Sequence, residues 1–407
     1  MLFTFFMAAV METWRSSSSY ELPTFRSARD FQMTGRRPTA RGDEFTVPDS
    51  EYADDTALPF CSRSDLDDQT PRVVTHFRRW GMEVHEGVLD LNGDVEKDSK
   101  SEIVFCSAPL HTYTDASTFD GADLSYVLLP RRGFMPIVPE FPYLGDMVAR
   151  DGSDGCAVDK RITKAGKAFG ALRKCVFSTS SVSHMAKRAV YESIILSILL
   201  YGAESWSMTE QHRQHLRVFH AQCLRAMCRV TRKHTWDHHI STQELGQRLG
   251  IETIDTYITR RQLRWGGHVR RMDYDRRLPR RMLSSWVAHP RPRGAPKMTY
   301  GRSFCKALKQ FHIDQETWPE LAADRSAWRA TLRLGQPAIY PPSGDPRGLP
   351  NARVHSYLRH YAHTRACNQL QARPLLLCAG AQPRMLSAHG GDTRFSVRLQ
   401  LSTLLAL

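Results

Sequence analysis

The sequence predicts an α+β fold in which a small antiparallel sheet comes first and a helical region follows. Between residues 45 and 144, apolar residues occur in short runs separated by turn-forming residues, which is the pattern of short strands. Beyond Val158, apolar residues recur at helical spacing, as in residues 162–172, which indicates amphipathic helices. Residues 1–44 and 336–407 show neither pattern, so we expect irregular or disordered ends.

The predicted sheet begins with a hairpin. Residues 45–60 contain two short apolar segments that flank an acidic pair, which suits two strands around a tight turn. Residues 69–82 place Val73 and Phe77 on one face, and Gly81 follows them, so we predict one amphipathic helix that ends at a glycine. Three further apolar runs predict strands at residues 101–105, 125–129 and 141–144.

The region after the sheet is predicted to be helical. Residues 185–200 form an amphipathic pattern in which Lys187 and Arg188 are expected to face solvent. The same periodicity predicts further helices at residues 211–230, 242–249 and 253–264. Large aromatic residues are expected to anchor the core between these helices, namely Tyr201, Trp206 and Trp265.

Composition restricts the function classes. The 407-residue chain carries a formal charge of +14, which favours a polyanionic partner. Its 9 cysteines form no Cys-x-x-Cys pair, so we expect reduced thiols in an intracellular, non-secreted protein. No apolar run approaches the roughly 20 residues of a membrane helix, so no membrane partner is expected. The sequence lacks a Gly-x-Ser-x-Gly elbow, which argues against a serine hydrolase.

The motif Tyr52-Ala53-Asp54-Asp55 is the strongest candidate for chemistry. It falls at the turn of the predicted hairpin, where two adjacent carboxylates would be presented together. Carboxylates of this kind hold the paired Mg²⁺ or Mn²⁺ ions of nucleotidyl transfer, so Asp54 and Asp55 are the predicted metal ligands and catalytic residues. The alternative is ordinary turn chemistry, since aspartate is common in solvated turns.

Several blocks in order resemble the reverse transcriptases of LINE-type (non-LTR) retrotransposons. The family's metal-binding hairpin has its counterpart in Glu51-Tyr52-Ala53-Asp54-Asp55-Thr56-Ala57-Leu58, which resembles it. The family's next palm block is similar to Trp80-Gly81-Met82-Glu83-Val84 together with Lys100-Ser101-Glu102-Ile103-Val104-Phe105. Phe141-Pro142-Tyr143-Leu144-Gly145 resembles the primer-grip strand. Later blocks resemble the thumb and its continuation, among them Leu200-Tyr201-Gly202-Ala203-Glu204-Ser205-Trp206, Leu263-Arg264-Trp265-Gly266-Gly267-His268 and Ala323-Asp324-Arg325 with Trp328-Arg329.

The resemblance implies a domain order and a set of partners. It implies a partial polymerase palm and a helical thumb, acting on an RNA template and a DNA primer in the nucleus. Lys100, Tyr143, Leu144 and Gly145 would then contact nucleic acid. The segments are an irregular N-terminal segment (1–44), a partial palm (45–150), a helical thumb (151–260), a basic connector (261–335) and an irregular tail (336–407).

The chain also departs from that family in ways that bear on activity. The family supplies one more catalytic aspartate from an earlier palm strand, together with fingers and an N-terminal endonuclease, and no matching block occurs before Tyr52. Mg²⁺ demands near-ideal octahedral coordination, so two carboxylates at a turn should bind it weakly. We therefore expect little or no polymerase activity from this chain.

A basic segment offers a function without catalysis. Arginines are dense between residues 260 and 293, where Trp265 and Trp286 interleave with them, a composition that suits phosphate contacts and base stacking. The alternative function for the whole chain is therefore that of a non-catalytic nucleic-acid-binding protein. The alternative for the segment alone is a solvated basic face without a partner. The predicted contact residues are Arg260, Arg261, Arg264, Arg270, Arg271, Arg276 and Arg277.

Two weaker patterns also occur in the sequence. Cys223 and Cys228, with His234 and His238 or His239, could be drawn as a zinc site, but the Cys-x₄-Cys spacing lies on a predicted helix and favours structural cysteines. Residues 87–96 look like an insertion within the palm block, and Asn92-Gly93 predicts a turn that would make it a surface loop.

Overall fold

A computed structural model describes residues 2–29, 42–53, 55–105, 126–150, 152–287, 300–335, 395–397 and 399–403. Its fold is α+β, with most of the strands before residue 150 and most of the helices after it, which confirms the predicted class. The strands are short, so the sheets are held together by the helices that pack on them.

The N-terminal segment contains regular structure that the sequence pattern did not predict. Helix α1 (Leu2–Ser17) buries Met7, Val10, Met11 and Trp14 in the core that it shares with residues 58–84. The expectation of an irregular segment over residues 1–44 was therefore wrong for this stretch. Two antiparallel strands follow, β1 (Thr24–Ser27) and β2 (Asp43–Thr46).

We call residues 45–150 the palm and residues 151–260 the thumb, after the regions that the resemblance predicts, and the palm contributes most strands of the largest sheet. The predicted hairpin is β3 (Ser50–Tyr52) and β4 (Asp55–Leu58), which pair antiparallel. The strand Gly133–Val138 pairs antiparallel with the strand Gly87–Leu89 on one side and with the strand Tyr126–Leu129 on the other. The remaining strands up to residue 149 are β5 (Met82–Val84), β6 (Gly87–Leu89), β7 (Val95–Lys97), β8 (Ile103–Phe105), β9 (Tyr126–Leu129), β10 (Gly133–Val138), β11 (Glu140–Tyr143) and β12 (Asp146–Ala149). Of these, β5, β11 and β12 lie outside the largest sheet, and β11 pairs with β12.

Helix α2 (Arg63–Arg79) covers one face of this sheet. It begins six residues earlier than predicted because Ser62 caps it, accepting a hydrogen bond from the Asp65 amide at 3.0 Å. Pro71 lies inside the helix and does not end it. The predicted turn at Asn92-Gly93 is present, since Gly93 has φ +90° and the Asp90 carboxylate accepts from the Asn92 amide at 2.7 Å.

The helical region begins at residue 155, and most predicted helices are present. A π-helical turn at Tyr191–Ile195 joins α4 to α5, so residues 184–199 form one continuous run. The helices are α3 (Gly155–Leu172), α4 (His184–Val190), α5 (Leu196–Leu199), α6 (Glu210–Cys228), α7 (Arg232–Asp237), α8 (Thr242–Leu249) and α9 (Ile254–Arg270).

The prediction that Lys187 faces solvent was wrong. The periodicity placed Lys187 on a solvated face, but the residue is 1% exposed. Its ammonium donates to the Met227 carbonyl at 3.1 Å, near the end of α6. The aliphatic stem is covered by neighbouring helices while the charge meets the carbonyl end of a helix, a favourable place for a cation.

The connector packs on the second half of α9. Gly266 and Gly267 let large rings approach that helix, because a Cβ at Gly266 would lie 2.3 Å from Phe304 and one at Gly267 2.1 Å from the Trp328 ring nitrogen. The Trp328 indole donates to the Leu263 carbonyl at 3.0 Å. The elements are α10 (Leu278–Leu283), β13 (Ser285–Val287), α11 (Tyr300–Gln310), α12 (Trp318–Ala323) and α13 (Arg325–Leu334).

Three strand contacts connect distant parts of the chain. β13 pairs antiparallel with β1, so the connector and the N-terminal segment share one sheet. Within the tail, where the sequence showed no pattern, β14 (Phe395–Val397) pairs with β5. Strand β15 (Leu399–Thr403) lies between β4 and β8, parallel to both. In the part of the chain that the structure describes, no helix is long and apolar enough to cross a membrane.

Candidate nucleic-acid interface

The acidic hairpin has the predicted geometry where the structure describes it. Tyr52 and Asp55 are paired across the hairpin, so a two-residue connection joins β3 and β4. Ala53 has φ +52°, the left-handed conformation that such a tight turn requires. Asp55 is partly exposed at the start of β4. Asp54, the other predicted ligand, lies outside the described residues.

Two more carboxylates lie beside this hairpin and are tied to α1. Arg15 donates to Asp49 at 2.7 Å and to Glu51 at 3.0 Å. Burial and the neighbouring Asp49 carboxylate raise the pKa of Glu51 to about 7, even though Arg15 opposes this shift. These carboxylates hold the N-terminal helix against the hairpin.

The donors around the hairpin do not complete a two-metal site. In the described ranges, which leave out Asp54, no group of three or more His, Cys, Asp or Glu side chains is arranged to hold a metal ion. Strand β15 lies beside β4, and its sequence, Leu-Gln-Leu-Ser-Thr, contains no carboxylate. A magnesium site formed by Asp54 and Asp55 stays a prediction.

The turn that resembles a primer grip links the palm to the thumb. Tyr143 is buried, and its hydroxyl donates to the Ser50 carbonyl at 3.0 Å, next to the acidic hairpin. Leu144 and Gly145 form the β11–β12 turn, with φ +48° and +84°. Tyr201 donates to the Leu144 carbonyl at 3.0 Å, and Arg161 donates to the Gly145 carbonyl.

The outward side of this turn is still accessible, although both carbonyls bind the thumb. Gly145 is exposed, and Leu144 is partly exposed. Arg161 also lies over the Tyr201 ring, 4.0 Å from its centroid, and is itself buried. Lys100, the other predicted palm contact, is exposed in the loop before β8, and its amide donates to the His85 carbonyl at 3.2 Å.

Two of the predicted contact arginines have structural partners. Arg260 forms an ion pair with Glu252 at 2.6 Å, and both side chains are largely buried. Arg261 donates to the Leu200 carbonyl at 3.0 Å, which joins α9 to the end of α5. Both arginines hold the thumb helices together, and their placement argues against a primary role in binding.

The remaining predicted arginines are better placed. Arg264 lies on the exposed side of α9, and Arg270 is the last residue of that helix. Arg271 is partly exposed and donates to the Ala322 carbonyl at 2.7 Å. Arg276 and Arg277 are exposed in the turn before α10.

Helix α13 contributes three arginines that the sequence reasoning missed. Arg325, Arg329 and Arg333 are spaced four residues apart and exposed along one side of α13, while Trp328 and Leu332 are buried on the other. The four-residue spacing was the signal that could have found them. Together with two side chains of α9 and the residue that follows this helix they form what we call the arginine surface: Arg264, His268, Arg271, Arg325, Arg329 and Arg333.

Electrostatics show that the arginine surface lacks counter-charges. Partial desolvation, and then the guanidinium groups of Arg260, Arg261, Arg329 and Arg333, lower the pKa of Arg264. The pKa of Arg271 is lowered by desolvation and then by Arg325 and Arg329. Among the residues that the structure describes, no carboxylate forms a salt bridge with any arginine of this surface. Like charges held together without anions are typical of a polyanion-binding surface.

Two arginines further along the basic segment have a different role. Arg280 is buried beside the Tyr274 ring and donates to the Ser284 hydroxyl. Arg281 lies over the Phe45 ring, 4.6 Å from its centroid. They attach the N-terminal sheet to the connector. The last two arginines of the segment, at positions 291 and 293, lie outside the described residues.

The predicted zinc residues are not brought together. Cys223 is buried in the thumb core, and Cys228 is partly buried near the end of the same helix. His234, His238 and His239 are exposed in and after α7, where the rings of His234 and His238 lie 4.3 Å apart. The two cysteines therefore belong to the helical core, as their spacing indicated.

Comparison with known proteins gives the origin of the chain. It is similar to an uncharacterized transposon-derived protein of Caenorhabditis elegans, 24% identical over 202 residues, which is 48% of this chain and 71% of that protein. No family model matches the chain, and no solved structure matches it. The similarity supports a transposon-derived origin for this protein.

Proposed function

We propose that this transposon-derived protein is a reverse transcriptase remnant that binds nucleic acid and does not polymerise it. The observation that carries the proposal is the arginine surface on α9 and α13. Its five arginines come from two packed helices and form no salt bridge with any carboxylate of the described residues. The partners would be RNA or DNA, as the resemblance to LINE-type reverse transcriptases implies.

The geometry of the surface suits a phosphate backbone. Guanidinium groups bind phosphate oxygens through paired hydrogen bonds, and a row of them along a helix can meet successive phosphates. Trp328 fixes α13 against α9 through the Leu263 carbonyl, so the two rows of arginines keep a constant separation. Because the cationic surface is already formed in the free protein, less conformational entropy is lost when nucleic acid binds to it.

Catalysis is not part of the proposal. Asp54 and Asp55 would bind Mg²⁺ or Mn²⁺ weakly, because no block before Tyr52 resembles the one that gives the family its third carboxylate. The carbonyl groups of Leu144 and Gly145 already accept hydrogen bonds from Tyr201 and Arg161 of the thumb. We infer that the hairpin keeps the shape of a polymerase site while the function resides in binding.

The proposal is tested by binding across a salt series. Each phosphate contact contributes about 0.7 to 0.9 to the slope of log affinity against log salt. We expect the combined variant Arg325→Gln, Arg329→Gln and Arg333→Gln to bind at least about tenfold more weakly near 0.1 M salt, and to lower that slope by about 2 to 3. Glutamine keeps much of the side-chain stem, so the fold should be unaffected.

The matched control is Arg79→Gln. Arg79 is an exposed arginine at the end of α2, away from α9 and α13 in the chain, and its replacement should leave affinity and slope unchanged. An equal loss per removed charge in the control and in the triple variant would mean that only net charge matters. No salt-dependent binding by the wild-type chain would overturn the proposal.

A further inference from the structure

A second surface presents an aromatic side chain among cations. Trp236, in the short helix α7, is 81% exposed, whereas Trp80, the other strongly exposed tryptophan of the described residues, is 38% exposed. Exposing a large apolar ring to water is unfavourable, and tryptophan is usually buried on average. Contacts within the described part of the chain give no reason for this exposure.

The exposure is built into an ordered segment. Val230 and Ile240, at the two ends of the segment that contains α7, pack against the thumb core. Thr231 caps α7, and its hydroxyl accepts from the His234 amide at 3.0 Å. The Ile240 amide donates to the Thr235 carbonyl at 2.9 Å, which closes the segment. The segment therefore holds Trp236 outward from an anchored base.

The charges around Trp236 favour an anionic partner. Arg229, Arg232 and Lys233 are all exposed, and Asp237 is the single acidic residue between positions 229 and 239. None of these cations forms a salt bridge within the described ranges. A docking site for another protein would need a contiguous apolar patch, and the exposed residues beside Trp236 are polar or charged.

We propose that Trp236 stacks on an unpaired base of single-stranded nucleic acid, with Arg229, Arg232 and Lys233 contacting the flanking phosphates. This inference rests on the proposed function and deepens it, because it names the substrate class. An exposed indole face can stack on a base only where that base is not already stacked within a duplex. The arginine surface, by contrast, recognises backbone charge that single strands and duplexes share.

The test compares three probes of equal length: an oligo(dT) of about 20 nucleotides, an abasic oligomer with the same phosphates, and a duplex. Stacking by one aromatic residue is worth about tenfold in affinity. We expect Trp236→Ala to weaken oligo(dT) binding by about that factor and to leave abasic and duplex binding unchanged. The salt slope should not change, because the substitution removes no charge. Trp236→Tyr should restore most of the loss.

Leu91→Ala is the matched control. Leu91 is 91% exposed and lies in the palm, far from Trp236 in the chain. The substitution therefore removes an exposed apolar side chain from another part of the protein, and it should leave the affinity for each probe unchanged. Equal thermal midpoints for all variants will show that the fold is retained. If the wild-type chain binds oligo(dT) and Trp236→Ala binds it equally well, the stacking inference is wrong and the proposed function stands. If the wild-type chain binds none of the probes, both are wrong.

Discussion

At the scale of single residues, His220 predicts a pH-dependent stability. It is 2% exposed, and its Nδ1 lies 2.8 Å from the Tyr191 hydroxyl. Burial lowers its pKa from 6.5 to about 4, so the unfolded chain takes up a proton that the folded chain refuses. The stability from this residue is complete above pH 6.5 and is lost as the pH falls toward 4, by about 3 kcal/mol in all.

Urea unfolding at several pH values measures this effect. We expect the free energy of unfolding of the wild-type chain to fall between pH 6.5 and pH 4, and His220→Gln to reduce that dependence while costing stability at neutral pH. His215→Gln is the control, because His215 is an exposed histidine on the same helix. An unchanged pH dependence in His220→Gln would show that the buried imidazole is not its source.

The roles of individual arginines could not be predicted from their density in the sequence. Arg260 is neutralised by Glu252 and Arg261 is held by the Leu200 carbonyl, and the second of these partners lies far away in the chain. Only the packing of the helices distinguishes these two arginines from those that lack a structural role. The sequence shows where arginines are dense, but it neither separates the structural ones from the others nor places the arginines of α13 beside α9.

At the scale of elements, the contact between α9 and α13 depends on Gly267, which has no side chain. A Cβ at Gly267 would lie 2.1 Å from the Trp328 ring nitrogen, so Gly267→Ala must displace α13. We expect a loss of about 1 to 3 kcal/mol in the free energy of unfolding, as for other overpacked cores, together with weaker nucleic-acid binding. Thermal or urea unfolding measures the first and the salt series measures the second.

Gly170→Ala is the control for this prediction. Gly170 lies in α3 with open space where its Cβ would be, so alanine should stabilise the chain by about 0.5 to 1 kcal/mol through its higher helix propensity. Destabilisation by both substitutions would contradict the steric explanation. Retained binding in Gly267→Ala despite a lower stability would mean that the two rows of arginines need no fixed separation.

Helix α1 shows why one element was missed. Its buried residues, Met7, Val10, Met11 and Trp14, have regular helical spacing. Phe3, Phe5 and Phe6 are also apolar, and Phe5 is 68% exposed, so the apolar run looks continuous and hides the periodicity. The later helices carry charged residues on their outer faces, and their period could therefore be read directly from the sequence.

At the scale of the whole molecule, nucleic-acid binding should depend on pH through His268. Partial desolvation and then Arg271 and Arg325 lower the pKa of His268 below 6.5 in the free protein. A phosphate bound to the arginine surface would raise that pKa, so binding takes up a proton and affinity rises as the pH falls toward the lowered pKa of the free protein. Binding to duplex at a fixed salt concentration measures this, and His268→Gln should flatten the dependence. An unchanged or steeper dependence in that variant would contradict the assignment.

The overall arrangement could be predicted in part. The order of hairpin, sheet and helices follows from periodicity, and the motif residues Tyr143, Leu144 and Tyr201 could be identified in the sequence. Their assembly could not, because the Tyr143 hydroxyl reaches Ser50 and the Tyr201 hydroxyl reaches Leu144 across long separations in the chain. These two hydrogen bonds connect the acidic hairpin, the β11–β12 turn and the thumb into one structure.

The most direct test of binding without polymerisation is primer extension with binding measured in the same samples. Purified protein would receive a poly(rA) template, an oligo(dT) primer and Mg²⁺ or Mn²⁺, beside the double variant Asp54→Ala and Asp55→Ala. We predict salt-sensitive binding by both proteins and extension by neither. Metal-dependent extension by the wild-type chain that is lost in the double variant would contradict the account and show that the acidic hairpin is a working polymerase site.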